Sequence, residues 1–401
     1  MIQKRKILFL SWWFPFPANN GSKLRIYNLL KGLTKYYDVS LISFDDSLKT
    51  DPHTGEIQSI CTDVEIVPLK QFNPKSLKAQ LGFLSLTPRA FIDTYSHEMA
   101  KRIQETVALQ KPDLVIASAL GTAIYRQIFK LTPALFEEVE IGLLYGRYIN
   151  AKSLIGRLRN GLTWMKHRRY LINLVRSYQA CTVVSDVEGQ LLRKLDPGNT
   201  LVEIIPNCIN IEDYREIEEI PQSDTLIFTG SFNYYPNYEG IIWFLEKVYP
   251  QVQVHCPSVK LLITGDHAGR PIPPASNVTL TGYVEDIRPL VARSSISVVP
   301  IISGGGTRLK ILEAMALHTP VVTTRKGSEG LDVIHGSDIL IANTPDEFAE
   351  NIIKLLKESE MRQRLANNAY QLVRDKYDWS VAMPRFINLV ESTITKNNTR
   401  G

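Results

Sequence analysis

Long apolar runs are missing from this chain. Nothing in it approaches the roughly 20 consecutive apolar residues of a membrane-spanning helix, so a soluble protein is expected. Only four cysteines occur, Cys61, Cys181, Cys208 and Cys256, too scattered for metal-ligand spacing or a disulfide framework. That usage fits a reducing, cytoplasmic compartment. Seven histidines are spread along the chain without a ligand pair at helical spacing, so no metal and no other cofactor is expected. A Gly-x-Ser-x-Gly elbow, a Walker loop and a short-period repeat are also lacking, which excludes the α/β-hydrolase, P-loop and solenoid classes. Charge is not one-sided: 46 Lys and Arg stand against 41 Asp and Glu, a net +5. Such a mild excess permits an anionic ligand or a membrane surface and demands neither, and no nucleic acid partner is expected.

Lys4, Arg5 and Lys6 ahead of ILFLSWWF imitate a secretory signal. Pro15 and Pro17 break that run, and no small-residue cleavage site follows before Asn19-Asn20-Gly21. KILFL therefore reads as a buried strand instead.

What is present is a series of short Val/Ile/Leu-rich runs. The first set is KILFL (6–10), DVSLISF (38–44), DVEIVPL (63–69), DLVIAS (113–118), ALFEEV (134–139), ACTVVS (180–185) and VEIIPN (202–207). The second is TLIFTG (225–230), KLLITG (260–265), VTLTGY (278–283), ISVVPI (296–301), PVVTT (320–324) and ILIAN (339–343). Continuous apolar strands are those buried on both faces of a parallel sheet, and helical periods lie between them. With 401 residues, the expected fold class is α/β: two doubly wound Rossmann-like domains facing a cleft. The expected domains are residues 1–208 and 209–378, with a closing segment 379–401, and the polar stretch Asn210 to Asp224 is the expected hinge.

Ligands of such sheets bind beyond the carboxyl ends of the strands, so the loops after strands carry the signal. In PIISGGGTRLKILEAMALHTPVV, from Pro300, a strand ends, Gly304, Gly305 and Gly306 follow, and a helix is expected near Thr307. Glycines let backbone approach a ligand, and a helix start offers free amides and a positive dipole end to phosphate. Arg308 and Lys310 fall in the first turn, where cations oppose the dipole. Local stability does not explain them; an anionic ligand does. The competing reading is a tight turn with solvated charges. Glu313, further along, can accept from ribose hydroxyls.

Other signals are weaker. PFPANNGSKLRIYNLLKGL sets Gly21 before an amphipathic helix carrying Arg25. It reads equally as a loop approaching a ligand or as a helix capped by Ser22. Gly230 and Ser231 end a strand in TGSFNYYPNYEG, whose Tyr234, Tyr235 and Tyr238 either line the cleft or pack at a domain edge. Gly282 to Val284 end another strand, with backbone groups for a nucleobase edge, and Asp286 is a candidate helix cap. Arg147 to Arg176 holds eight basic residues, Lys152 among them, and no acid, interleaved with Leu158, Leu162, Trp164 and Met165. This is a basic amphipathic helix able to touch anionic lipid or a diphosphate-bearing acceptor, or else a solvated face.

Taken together, these segments resemble the group 1 family of retaining, nucleotide-sugar-dependent glycosyltransferases, of two-Rossmann GT-B architecture. The resemblance spans nearly the whole chain and is strongest over 225–325. GGGTRLKILEAMALHTPVV with GSEGL is similar to the donor signature, and PNCIN (206–210) to the hinge motif. VVSDVEGQLL (183–192) resembles the last strand and helix of the first domain, and DWS (378–380) the start of a closing helix that crosses back to it. The resemblance implies transfer from a nucleoside-diphosphate sugar to a hydroxyl of a glycan, lipid-linked or small-molecule acceptor, with retained configuration and without metal. It also implies roles: Glu313 for the donor ribose, Gly230 and Ser231 beside the diphosphate, Val284 at the base, and Gly21 near donor and acceptor. The family's first paired Glu would fall at Gly305. Ser231 and YYPN stand where many members carry Arg and Lys, so Arg308 and Lys310 are expected to supply the positive charge. The usual His of the first domain is missing from LFEEVE (135–140), where Glu138 is the nearest polar candidate. Two rivals stay open: a nucleotide-sugar epimerase of the same architecture and a non-catalytic, sugar-nucleotide-binding subunit.

Overall fold

Each of the apolar runs forms a strand, because Val, Ile and Leu side chains on alternate sides can be buried by helices on both faces. The computed structural model describes residues 4–18, 20–45, 55–149, 153–196, 198, 200–217 and 219–398. Among them the chain makes two units: Met1–Pro206 with Met383–Gly401, and Asn207–Ala382.

In the first unit, β1 (Lys6–Ser11), β2 (Asp38–Asp45), β3 (Asp63–Pro68), β4 (Leu114–Ser118), β5 (Ala134–Glu137), β6 (Ala180–Val183) and β7 (Leu201–Ile204) form one sheet. Its order is β3-β2-β1-β4-β5-β6-β7. All pairs are parallel; Ile7 of β1 faces both Val39 of β2 and Leu114 of β4.

The second unit holds β8 (Gln222–Thr229), β9 (Lys260–Thr264), β10 (Val278–Gly282), β11 (Ser294–Val299), β12 (Val321–Thr323) and β13 (Leu340–Ile341). The order β10-β9-β8-β11-β12-β13 repeats the same doubly wound plan. Its two faces are both filled. Leu226 and Phe228 of β8 pack in one core with Val298 and Val322, while Ile227 between them joins the opposite core with Val299 and Val321. Burying one such side chain contributes roughly 1.5–3 kcal/mol.

In each sheet the strand order reverses beside one strand, β1 in the first and β8 in the second. The loops after the two strands flanking that point diverge and leave a crevice, the usual ligand position. In the second unit those strands are β8 and β11, which brings the Gly230 and Gly304–Gly306 loops to one place.

The stretch 210–224, expected to be the hinge, lies wholly in the second unit; the chain passes between units at Pro206–Asn207 and returns at Ala382–Met383. Ile209 and Ile211 are buried in a core with Ile227 and Val299, so that polar-looking stretch is anchored to the second sheet. The last helix, Trp379–Asn398, contains Pro384, and its residues from Met383 onward belong to the first unit. The basic stretch forms two helices, Gly142–Ile149 and Leu154–Arg176, rather than one. Lys152 and the side chain of Arg147 lie outside the described residues. No helix among the described residues is long and apolar enough to cross a membrane.

Candidate functional site

β11 ends at Val299 and runs into the glycine turn. Gly304 and Gly306 sit at φ +86° and +84°, backbone that side-chain-bearing residues rarely adopt. Gly304 is also crowded: a Cβ there would lie 2.6 Å from the Tyr234 hydroxyl and 2.7 Å from Pro236. The Tyr234 hydroxyl donates to the Gly305 carbonyl at 3.2 Å. The helix begins at Leu309, two residues later than expected, and Arg308 is its N-cap, with non-helical φ −88° and ψ +89°. Thr307 therefore belongs to the turn.

Arg308 is 7% exposed. Its guanidinium folds back over the turn, donating to the carbonyls of Gly305 and, at 3.3 Å, Ser303. Its Nε is buried without a partner. Lys310, in the first turn of the helix, points to the other side of the crevice. Its ammonium donates to the Thr229 carbonyl at the end of β8 and to Asn237 Oδ1 at 3.0 Å, and lies 4.7 Å over the Phe228 ring. A Cβ at Gly230, itself at φ +141°, would come 2.6 Å from that ammonium; the glycine is what lets the cation in. Asn237 is held in turn by the Ser231 carbonyl at 2.9 Å, and Ser231 Oγ donates to the Asp266 carbonyl at 3.1 Å.

Neither cation makes an ion pair among the described residues; both rest on neutral oxygens. Burying charge without a countercharge is unfavourable, and the effect shows in Lys310. Burial first, then the neighbouring Arg308, pull its pKa down to about 7 against the opposing pull of Glu313. Glu313, half-buried, has its pKa raised by burial, offset by Lys310 and by a hydrogen bond from the Tyr214 hydroxyl. Tyr214, which acts on Glu313, was not anticipated. The arrangement can receive an anion: two cations without an ion pair among the described residues, a helix start and a positive-φ glycine turn converge.

Three strands of this sheet end in Thr-Gly: Thr229-Gly230, Thr264-Gly265 and Thr281-Gly282. All three glycines have positive φ, and a Cβ at Gly265 would lie 2.7 Å from the Gly230 carbonyl. Gly265 N–H donates to the Gly282 carbonyl at 2.8 Å. The loop that carries Val284 follows directly on Gly282. Gly265 and Asn237 were missed by the motif reading, although the thrice-repeated Thr-Gly was a usable signal.

The remaining two candidates belong to the first unit. Gly21 is not in a loop but is the first residue of the helix Gly21–Leu33, whose cap is Asn20, accepting from Lys23 N–H, and not Ser22. That helix delivers Arg25, fully buried, to Glu137 at the end of β5, at 2.7 Å. Glu137 also accepts from Ser118 Oγ at 2.6 Å, and Arg25 donates to the Pro206 carbonyl at 3.0 Å. Glu138, next along, is held at φ +60°, with its N–H on Thr182 Oγ1 at 2.8 Å. Burial raises its pKa to about 7; Arg25 pulls it down and Glu137 pushes it up. A side chain at positive φ is strained, and such strain persists where surroundings impose it. Among the described residues no three His, Cys, Asp or Glu side chains stand close enough to hold a metal ion.

The family described as glycosyl transferases group 1 matches residues 223–358. An uncharacterized 44.6 kDa protein in the cps region of Klebsiella pneumoniae is 32% identical over 93% of this chain and 96% of its own length. Among solved structures, sucrose-phosphate synthase from Thermosynechococcus elongatus superposes with a TM-score of 0.71 at 16% identity, over 98% of this chain and 100% of that one. Anabaena Alr3699/HepE, solved in complex with UDP-glucose, superposes with a TM-score of 0.65 at 15% identity, over 96% and 99%.

Proposed function

The chain belongs to the group 1 glycosyltransferases, and on that premise we propose that it moves a sugar from a nucleoside-diphosphate sugar to a hydroxyl acceptor, with retention and without metal. The observation that carries this reading is the pair of cations without an ion pair among the described residues, buried Arg308 and half-buried Lys310, at the switch point of the second sheet. The UDP-glucose complex of Alr3699/HepE supports a sugar nucleotide as the donor class.

In the proposed reaction the bond between the anomeric carbon and the diphosphate oxygen breaks, and that oxygen takes the electron pair. Arg308, Lys310 and the amides at the helix start stabilise the departing charge. The acceptor hydroxyl attacks on the same face, and its proton passes to the leaving phosphate. Gly230, Ser231 and Gly304 to Thr307 line the diphosphate, Glu313 holds the ribose, and the loop at Val284 meets the base. Glu138, whose pKa of about 7 suits proton exchange near neutrality, is assigned to the sugar and acceptor side with Gly21. The acceptor class is a glycan, a lipid-linked sugar or a small molecule. We also place the enzyme in a reducing, cytoplasmic compartment, in peripheral contact with a membrane through the basic 147–176 stretch. Four free cysteines support the first and a helix without an acidic residue the second.

The test is release of nucleoside diphosphate from a panel of sugar nucleotides, with and without acceptor. Replacing both Arg308 and Lys310 by Ala is expected to lower turnover by roughly 10²–10³-fold, the scale of losing preorganised charge stabilisation, while the melting temperature holds. Near-normal turnover would reject the clamp.

A further inference from the structure

Two elements of the first unit lie side by side with much apolar surface uncovered. Lys166 of the helix Leu154–Arg176 donates to the Gly82 carbonyl at 2.8 Å. Phe91 stacks on Tyr170 with ring centres 5.5 Å apart, so the helix is fixed against the segment 72–94. The helix buries Trp164, Leu171 and Val175. It leaves Leu154, Leu158, Leu162 and Met165 exposed along one stripe, at steps of four, four and three residues, with Ile155 beside them. The neighbouring segment exposes Leu77, Leu81, Phe83, Leu84 and Leu86, Leu84 to 91%. A single exposed leucine is ordinary, whereas a contiguous group on two adjoining elements marks an interaction surface.

The charge around this surface has one sign. The helix carries Arg157, Arg159, Lys166, Arg168, Arg169 and Arg176 and no acid; residues 70–92 carry Lys70, Lys75, Lys78 and Arg89 and no acid. The acid that follows, Asp93, is buried and paired with Lys70 at 3.0 Å, and Asp196 pairs with Arg176 at 2.8 Å, which leaves Arg157, Arg159, Arg168 and Arg169 on the helix without an ion pair among the described residues. A second copy of this chain would meet the face with the same excess of positive charge. A leaflet of anionic lipid offers what the face lacks, acyl chains for the leucines and phosphates for the basic rim.

We propose that the segment 77–86 and the helix 154–165 form one docking surface for an anionic bilayer, the leucines entering the interface and the basic residues engaging lipid headgroups. This deepens the membrane contact proposed above by adding a second, independent element, and it does not depend on the transfer reaction. The test is flotation of the full chain with phosphatidylcholine vesicles containing about a quarter phosphatidylglycerol, against pure phosphatidylcholine and against high salt, which screens surface charge. Wild-type protein is expected to float with the anionic vesicles, and to lose most binding on neutral ones or in high salt. Leu84→Ser with Leu86→Ser, and separately Arg157→Glu with Arg159→Glu, are each expected to weaken binding by about tenfold or more, with unchanged melting temperature, since all four side chains lie on the surface. Loss in the arginine variant alone would overturn the two-element surface while leaving a membrane contact of the helix standing. No flotation of the wild type, or self-association that the leucine variant abolishes, would overturn both.

Discussion

Lys310 holds its ammonium where the surroundings favour the neutral amine, so protonation there is coupled to whatever binds. Its pKa of about 7 lies below the ordinary 10.5. Between those values the unfolded chain carries a proton that the folded protein lacks. Stability therefore rises with pH across that window, and this contribution is lost as pH falls through about 7. A diphosphate placed beside the ammonium reverses the balance and restores the charge. Binding of UDP at about pH 8.5, within that window, is thus expected to take up close to one proton. Calorimetry in two buffers of different ionisation enthalpy measures it, and Lys310→Met should remove the uptake. Proton-neutral binding by the wild type would mean that the ammonium does not meet the phosphates. In Arg308 the corresponding mark is in hydrogen bonding, the buried Nε that has no hydrogen-bond partner among the described residues.

At the scale of elements, the site depends on how strands end. Gly265, at φ +111°, backs directly onto the Gly230 carbonyl, whereas Gly269, at φ +66°, has open space beside it. Gly265→Ala is expected to cost about 2–4 kcal/mol, from backbone strain plus a clash that moves the Gly230 loop. Gly269→Ala should cost only about 1–2 kcal/mol for its backbone. Urea unfolding compares them, and equal losses would show that close approach of the strand ends is not what Gly265 provides. The strands themselves were legible, since runs such as LVIAS and SSISVV are buried at every position and such runs have few other uses. The cradle was legible as three glycines before two cations. What was not legible depended on distant partners. Polar residues around Ile209 and Ile211 concealed that these two are core. Arg308 could not be seen as a cap, because its conformation is set by carbonyls of its own turn. Asn237 and Tyr214 became site residues only through Lys310 and Glu313. Nothing in the local sequence marks the leucines of 77–86 as exposed; the fold leaves them outside.

For the whole molecule the decisive fact is that each unit has its own hydrophobic core. One is built around Leu8, Val115 and Phe136; the other two clusters lie on the two faces of the second sheet. The chain crosses between units at two places, Pro206–Asn207 and Ala382–Met383. Separate cores joined by few crossings favour opening of one unit without the other. All ten proposed donor-side residues from Gly230 to Glu313 lie in Asn207–Ala382, so a donor fragment should stabilise that unit selectively. With UDP at about 100 times its dissociation constant, the opening free energy of the second unit should rise by about 2.7 kcal/mol. Hydrogen exchange in moderate urea reads this strand by strand. β11, buried throughout, should gain about a hundredfold protection, while β4, equally buried, should gain little. Equal protection of both strands would mean that the units open as one cooperative body. Protection of β4 alone would move the donor to the first unit and remove the role given to Arg308 and Lys310.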